Sequence, residues 1–236
     1  MGSISSKIES RRCDIVAGIP LPRFPRIFAR HARKGTKVTI VSDSAITGRY
    51  GRPLLRSLVR AGFPTQIVSV PSGERSKTLQ QVGHLYRFLA HAGMERGSWL
   101  VALGGGVVGD LTGFVAATYL RGIPFVQIPT TLLAQVDASI GGKTGVDIPE
   151  GKNLVGSFYQ PRLVWIDPSL LRTLSPAHWR NGLAEVIKYG AIQDRALFEI
   201  LENKMDRLLR GYSADWKPVI ARCARIKITA GSSLLL

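Results

Sequence analysis

The chain has 236 residues, of which 45% are hydrophobic, so it can form one large domain or one domain with part of a second. Its 32 lysines and arginines against 16 acidic residues give a formal charge of +16, but the basic residues are scattered without interleaved aromatics, which favours solvated helix faces over a nucleic-acid surface. No apolar run approaches the roughly 18 residues that a membrane helix needs.

The first part of the chain alternates between strand and helix patterns. Residues 1–12 carry neither pattern and are predicted to be a disordered leader. Apolar runs then predict strands at 37–42, 66–70, 99–103, 125–128 and 163–166, and periodic segments predict helices at 46–61, 79–92 and 111–117. This alternation predicts an α/β domain over residues 13–175 with a Rossmann-like, doubly wound and mainly parallel sheet.

The strand signal stops near Pro176, and helical patterns follow at 182–191, 195–210 and 215–228. We therefore predict an incomplete helical domain over residues 176–228. Residues 229–236 lack a cap, periodicity and charge, and are predicted to be an aberrant tail. Cys13 and Cys223 lie far apart with no C-x-x-C spacing, which predicts free thiols and a reducing, cytoplasmic compartment.

The most informative stretch is the glycine turn from Gly104 to Asp110, which follows the predicted strand at 99–103. Glycines allow the sharp turn that brings backbone N–H groups against a phosphate, and the positive end of the following helix dipole favours an anion. The spacing of Gly104, Gly106 and Gly109 satisfies G-x-G-x-x-G. The turn is therefore predicted to bind the phosphates of a nucleotide.

This turn departs from the standard dinucleotide fingerprint in two respects. Two apolar strands precede it, and Pro129 stands about 20 positions later, where an acidic residue would contact the ribose. A tight strand-to-helix turn without a ligand therefore remains an alternative. A second glycine-rich stretch, at 137–144, misses a P-loop because Asp137 replaces its first glycine, which argues against an ATPase.

Two pairs of opposite charge have helical spacing. Glu74 and Lys77 precede a predicted helix, and Glu185 and Lys188 lie within one. From spacing alone, the first pair is a capping arrangement or an exposed pair, and the second is a salt-bridged helix face.

Other polar residues follow strands or stand among glycines. Thr130 and Thr131 follow a predicted strand at the edge where ligands of open α/β sheets collect, so their hydroxyls could bond a cofactor or cap a turn. Lys143 and Lys152 stand among glycines, which suits phosphate recognition, although either lysine alone is more often a surface charge.

Six motifs in this order resemble the 3-dehydroquinate synthase family over roughly residues 13–227. They are PSGERSK at 71–77, the glycine turn ending at Asp110, IPTTLLAQVD at 128–137, GGKTG at 141–145, GKN at 151–153 and GLAEVIKYG at 182–190. The resemblance implies an enzyme of the shikimate pathway. It would use NAD and a divalent metal, zinc or cobalt, to convert 3-deoxy-D-arabino-heptulosonate 7-phosphate into 3-dehydroquinate and phosphate.

The resemblance also implies roles for the residues at matching positions. At the cofactor it places Asp43, Glu74, Lys77, Gly105, Gly106, Val107, Val108, Gly109, Asp110, Thr130, Thr131, Leu170 and Thr173. At the substrate it places Asn153, Lys188 and Lys227, with Asp137, Lys143 and Lys152 serving cofactor and substrate. Arg121 matches an arginine that reaches the substrate phosphate of a neighbouring subunit, which implies a homodimer.

The metal site shows the main departure from the family pattern. Glu185 matches the metal-ligating glutamate, and a carboxylate with two imidazoles is an ordinary catalytic zinc set. The histidines of this chain stand at 31, 84, 91 and 178, however, and none matches the paired ligands expected downstream. The similarity holds through Lys227 and then stops, which predicts a C-terminal truncation or frameshift and a chain that is inactive alone.

The resemblance therefore implies a member of the 3-dehydroquinate synthase family that acts on a small sugar phosphate, and the sequence predicts that it binds neither nucleic acid nor membrane. Two alternatives stay open. One is a related sugar-phosphate cyclase or an iron-type polyol dehydrogenase, and the other is a non-catalytic nucleotide-binding protein.

Overall fold

The computed structural model describes residues 4–6, 13–210 and 213–233. The strands in these ranges are β1 (Ile4–Ser6), β2 (Cys13–Ala17), β3 (Val38–Asp43), β4 (Thr65–Val70), β5 (Trp99–Gly104), β6 (Phe125–Pro129), β7 (Lys143–Ile148), β8 (Gly151–Phe158) and β9 (Leu163–Ile166). The α-helices are α1 (Phe24–Phe28), α2 (Ser44–Ile46), α3 (Arg52–Arg60), α4 (Leu79–His91), α5 (Gly106–Thr118), α6 (Pro176–Gln193), α7 (Arg195–Leu209) and α8 (Ser213–Ser233).

The main sheet has the order β1-β2-β9-β6-β5-β3-β4, and every neighbouring pair except β1–β2 is parallel. All five predicted strands are present, which confirms the predicted α/β class. Alternate residues face opposite sides of the sheet. Ile40 therefore packs with Phe28 and Leu58 on one face, whereas Val41 packs with Leu85 and Leu111 on the other.

Four strands of the described chain were absent from the prediction, namely β1, β2, β7 and β8. Strand β2 precedes β3, so three strands rather than two come before the glycine turn in the parallel part of the sheet. Strands β7 and β8 form a separate antiparallel hairpin. Their sequence is rich in glycine and polar residues, which have low strand propensity, so the sequence pattern did not predict them. The hairpin packs against helix α5.

The ends of the chain also differ from prediction. Residues 4–6, predicted to belong to a disordered leader, form β1, because Ile4 pairs with Ile15 along the exposed edge of β2. The rest of 1–12 lies outside the described residues. Helix α8 continues to Ser233, beyond the predicted end at 228, since a packed helix extends at one hydrogen bond per added residue. The predicted helix end at 228 is therefore five residues too early, whereas the aberrant tail at 229–236 stays a prediction, and 234–236 lie outside the described residues.

Helix α6 begins at Pro176, six residues before its predicted start. Ser175 caps it by accepting a hydrogen bond from the His178 N–H, and proline is favoured at the first helical position. Side chains of α6, α7 and α8 share one buried cluster with β2 and β9. The helices therefore pack directly against one edge of the sheet, while the boundary at 175/176 stays a prediction.

The charges and thiols are arranged as the sequence predicted. The arginines of the segment 49–60 are all exposed and form a solvated helix face; they are Arg49, Arg52, Arg56 and Arg60. Cys13 and Cys223 are free and buried, and burial raises the pKa of each thiol to about 12. No described helix is long and apolar enough to cross a membrane.

Candidate nucleotide edge and helical cavity

The carboxyl ends of β3 and β5 meet where the strand order reverses. The chain passes from β3 outward to β4 and then returns to the other side of β3 to form β5. Ligands of open α/β sheets bind at such a switch point. Asp43 ends β3 and Gly104 ends β5, so the predicted cofactor residues Asp43 and Gly105 flank this crevice, and we call this side of the sheet the nucleotide edge. The Asp43 carboxylate accepts a hydrogen bond from the Ala45 N–H at 2.8 Å and another from the Ser72 hydroxyl.

The glycine turn forms the predicted strand–turn–helix unit. Gly105 lies at the N-cap of α5 in an extended conformation and provides no side-chain cap. The first backbone N–H groups of a helix have no partner within it. Those of Gly106, Val107 and Val108, together with Gly105, form what we call the glycine cradle. It presents open donors and the positive end of the helix dipole at the switch point.

The glycines of this motif serve different purposes. A Cβ on Gly104 would lie 2.6 Å from the Val108 side chain, and one on Gly109 would lie 2.6 Å from Gln127 Oε1. These two glycines are therefore required by close helix–strand packing. A Cβ on Gly106 would meet only Ala138, at an ordinary 3.5 Å, so packing does not demand a glycine there. The space beside Gly106 allows a ligand to approach the backbone.

A buried lysine links the cradle to the β7–β8 hairpin. Lys77 is 4% exposed, and its Nζ lies 2.6 Å from Asp110 Oδ2 and 2.5 Å from Asn153 Oδ1. Burial raises the pKa of the Asp110 carboxyl, and the Lys77 ammonium opposes that rise. The prediction that Glu74 and Lys77 form an exposed or capping pair is wrong for Lys77. Glu74 is exposed, and the hydroxyl of Thr78 is what caps α4.

The threonines after β6 adjoin the cradle. The buried Thr130 donates its N–H to Gly104 O at 2.9 Å. The Thr131 hydroxyl accepts a hydrogen bond from the Ala134 N–H at 3.2 Å and is therefore a turn cap, one of the two predicted roles. Its methyl group lies beside Gly105, where a Cβ would come within 3.0 Å of it. Contact with a cofactor stays a prediction.

The lysines predicted to bind phosphate lie at opposite ends of the hairpin. Lys143 is exposed at its open end, opposite Phe158. Lys152 is exposed near the turn, where it lines a cavity of about 580 Å³ with Glu74. The neighbouring Asn153 has φ +57°, and its N–H donates to Asp147 Oδ1 at 2.8 Å.

A second cavity, of about 280 Å³, lies between α6, α8 and the π-helical segment Ala134–Ala138. We call it the α6–α8 cavity. Its lining residues are Asp137, Glu185, Lys188, Tyr189, Ile192, Gln193 and Lys227. The structure thus brings together four predicted site residues that are up to 90 positions apart in sequence.

The charged groups of the α6–α8 cavity form two separate ion pairs. Lys188 Nζ lies 2.5 Å from Glu185 Oε1, as the helical spacing predicted. Lys227 Nζ lies 2.6 Å from Asp137 Oδ1, and the Tyr189 hydroxyl donates to the same oxygen at 2.5 Å. Burial, followed by the hydrogen bond to Asp137, raises the pKa of Tyr189 above its ordinary 10.0, so the phenol remains a donor.

The side chains that line this cavity do not form a metal-binding group. Among the described residues, no group of three His, Cys, Asp or Glu side chains could bind a metal ion. Glu185 is paired with Lys188, and the histidines lie elsewhere. His31 is 3.7 Å from Asp14, and His91 Nδ1 contacts Arg87 O at 2.8 Å. The prediction that Glu185 is a metal ligand therefore stays untested.

Three predicted residues lie outside the glycine cradle and do not line the α6–α8 cavity. Arg121 is exposed with φ +63°, beyond the C-terminus of α5, which places it about 20 Å from the cradle at 1.5 Å per helical residue. Leu170 and Thr173 are contacted by Tyr50, whose hydroxyl lies 3.5 Å from Leu170 O and 3.3 Å from Thr173 Oγ1. Leu170 and Tyr50 also line a cavity of about 370 Å³.

Sequence reasoning missed Tyr189, the partner of Asp137. The available signal was its position four residues after Glu185, which places both side chains on one helix face. A buried tyrosine also needs an acceptor for its hydroxyl.

Two family profiles match the chain. The profile described as "3-dehydroquinate synthase N-terminal" matches residues 67–181, and the one described as "3-dehydroquinate synthase C-terminal" matches residues 182–230.

Individual proteins are also similar. A 3-dehydroquinate synthase of Pelobacter propionicus is 47% identical over 213 residues, which are 90% of this chain and 59% of that protein. Another, from a Synechococcus strain, is 59% identical over 170 residues, which are 72% of this chain and 46% of that protein. The chain thus spans about half the length of the curated relatives it matches. Among solved structures, 2-epi-5-epi-valiolone synthase of Streptomyces hygroscopicus, with NAD+ and Zn2+ bound, superimposes with a TM-score of 0.83 at 32% identity, over 93% of this chain and 61% of that one.

Proposed function

This chain belongs to the 3-dehydroquinate synthase family, and we propose that it supplies the NAD-binding and substrate-binding parts of such an enzyme. The reaction is the conversion of 3-deoxy-D-arabino-heptulosonate 7-phosphate into 3-dehydroquinate and phosphate. The observation that carries this proposal is the open glycine cradle at the topological switch point, with the Lys77–Asp110 pair beside it.

The nucleotide edge fits NAD. The open N–H groups of the glycine cradle can bind the pyrophosphate, because Gly106 leaves room for it and the α5 dipole favours negative charge. The remaining cofactor contacts come from residues at the same edge, namely Asp43, Glu74, Lys77, Asp110, Thr130, Thr131, Leu170 and Thr173. When bound, NAD supplies a hydride acceptor that later returns the hydride.

The basic residues suit a substrate with a phosphate and a carboxylate. Lys152 and Asn153 lie on the hairpin, and Lys188 and Lys227 lie in the α6–α8 cavity. Each ammonium is a compact charge on a flexible stem, so it can reach an anion. In the cavity, an anionic substrate would replace the carboxylates as partner of these lysines.

The described residues do not fit the zinc or cobalt that the resemblance implies. The α6–α8 cavity is lined by two carboxylates, Asp137 and Glu185, each paired with a lysine, whereas a catalytic zinc site uses three protein ligands. We therefore propose that the chain alone binds NAD without turning over substrate.

Two further properties are part of the proposal. Exposed Arg121 lies far from the cradle of its own chain, which is consistent with a role in a homodimer. Free Cys13 and Cys223 are consistent with a reducing cytoplasm. Light scattering coupled to size exclusion measures the first property, and a monomer at micromolar concentration contradicts it.

Calorimetric titration with NAD tests the cradle. In Gly106→Asp, a carboxylate at the first turn satisfies the helix dipole and repels the pyrophosphate. We expect Gly106→Asp to bind NAD at least about tenfold more weakly than the neutral control Gly106→Asn, and this difference should shrink as salt rises. Equal affinity of the two variants would exclude the cradle as the pyrophosphate site.

Release of phosphate from the heptulosonate phosphate tests catalysis. With NAD and zinc present, we expect no release above the background without protein. Turnover that a chelator abolishes would contradict the inactivity and show that the chain assembles a metal site after all.

A related sugar-phosphate cyclase is the second candidate, because the chain superimposes on 2-epi-5-epi-valiolone synthase. Titration with the heptulosonate phosphate, hexose phosphates and glycerol separates the candidates. Preference for the heptulosonate phosphate supports the synthase, preference for other sugar phosphates supports the second candidate, and preference for glycerol supports a polyol dehydrogenase.

A further inference from the structure

The α6–α8 cavity contains a tyrosine to which the family resemblance gives no role. Tyr189 is 6% exposed, and its ring packs in the core while its hydroxyl reaches the cavity. The hydroxyl and the ammonium of Lys227 both contact Asp137 Oδ1, at 2.5 and 2.6 Å. One carboxylate oxygen thus takes two donors, from α6 and α8.

We propose that Tyr189 is a positioning residue, which holds Asp137 in the orientation that binds Lys227 and leaves Asp137 Oδ2 to accept a hydroxyl group of a sugar phosphate. This inference rests on the proposed function, because it concerns the substrate side of the same site. Within the described ranges, Asp137 Oδ2 accepts no hydrogen bond.

The two donors to Asp137 differ in rigidity. The stem of Lys227 is flexible, and an ammonium alone leaves a carboxylate free to rotate. The Tyr189 ring is fixed by core packing, so its hydroxyl provides a rigid anchor. Lys188 is engaged with Glu185 and does not share this task.

Acylation of lysines tests the anchor without any ligand. In Tyr189→Phe, the Asp137 carboxylate loses its fixed donor, so we expect Lys227 to react with an N-hydroxysuccinimide ester several-fold faster than in the parent chain, approaching Asp137→Asn. Peptide mass spectrometry measures the rate, with Lys188 as internal reference. The matched control is Tyr119→Phe, whose hydroxyl donates to Met94 O and should leave Lys227 unchanged. An unchanged Lys227 rate in Tyr189→Phe overturns the proposal.

A double-mutant cycle distinguishes positioning from core packing. With NAD present, Tyr189→Phe should weaken binding of the heptulosonate phosphate about tenfold, the size expected for a lost hydrogen bond to a charged group. Adding Tyr189→Phe to Asp137→Asn should weaken it no further, since the tyrosine acts through Asp137. Equal effects in both backgrounds indicate a packing role and overturn the proposal. If the parent chain binds no heptulosonate phosphate, the proposed function fails, while the acylation rates still decide whether Tyr189 holds Asp137.

Discussion

The nucleotide edge and the α6–α8 cavity present their polar groups by different means. At the nucleotide edge, the donors of the glycine cradle are backbone N–H groups, and any side chain at Gly104 or Gly109 would clash with Val108 or Gln127. In the cavity, the polar groups are side chains on two helices and a π-helical segment, held by the Lys188–Glu185 and Lys227–Asp137 pairs.

This difference affects how each region tolerates change. A cradle made of main chain persists as long as β5 and α5 pack together, and we expect it to accept any pyrophosphate-like anion. A cavity made of side-chain pairs depends on the position of every helix that carries a charge, and a ligand must compete with the existing ion pairs. We therefore expect the cradle to be robust and the cavity to respond to distant substitutions.

The largest effect on stability is expected at the buried Lys77, which links helix α5 to the β7–β8 hairpin. Lys77→Met leaves the partly buried Asp110 carboxylate without its cation, which should lower the free energy of unfolding by about 3 kcal/mol. Urea denaturation measures the change. The control Lys77→Met/Asp110→Asn removes both charges and should be less destabilised than Lys77→Met alone.

The pH dependence of Lys77→Met sharpens this test. Burial raises the pKa of Asp110, so the folded state binds its proton more tightly than the unfolded state, and stability is lost as the pH rises from the ordinary value of 3.8 through the folded value. Without the opposing ammonium, this loss should be greater. The difference in free energy of unfolding between the parent chain and Lys77→Met should therefore shrink as the pH falls from about 8 to about 5. A constant difference would mean that Asp110 does not titrate against Lys77.

The next largest effect is expected where α6 crosses the segment after β6. A Cβ on Gly182 would lie 2.5 Å from Leu132 Cβ and 2.7 Å from Leu133 N, and backbone cannot easily move aside. Gly182→Ala should lower the free energy of unfolding by about 2 kcal/mol and displace α6, with its cavity residues. In the control, Gly83→Ala within α4, the nearest atom is Arg87 Nη1 at 3.8 Å, so alanine should stabilise by about 0.5 to 1 kcal/mol. A neutral Gly182→Ala would show that the cavity tolerates helix displacement.

The two regions also differ in how far sequence predicts them. The cradle was predictable because its strand, glycines and helix are consecutive, and the structure confirms that unit. Among the cavity residues, the Glu185–Lys188 pair was predictable from helical spacing, whereas Asp137 and Lys227 were identified only through the family resemblance and Tyr189 was missed, because their contacts are not local. Tyr189 and Asp137 are 52 positions apart, and Lys77 meets Asn153 across 76 positions. Periodicity records which face of an element is buried, but it does not say which buried donor meets which acceptor.

The smallest effect is expected at Asp194, which joins the start of α7 to α8, the helix that carries Lys227. Its carboxylate accepts a hydrogen bond from the Leu197 N–H and another from Arg222, and the Arg222 guanidinium holds the pKa of Asp194 below its ordinary 3.8. The stability from this pair is present above that ordinary value and is lost as the pH falls through the lowered one.

Asp194→Ala removes both the cap and the ion pair and should lower the free energy of unfolding by about 1 to 1.5 kcal/mol. Asp194→Asn can still cap α7 but loses the ion pair, so only about 0.5 kcal/mol is expected, since Arg222 is partly exposed to solvent. Urea denaturation at neutral pH compares the two variants. NAD binding should be unchanged in both, because α7 and α8 do not contribute to the glycine cradle. A loss of NAD affinity in Asp194→Asn would mean that the nucleotide edge and the helices respond as one unit.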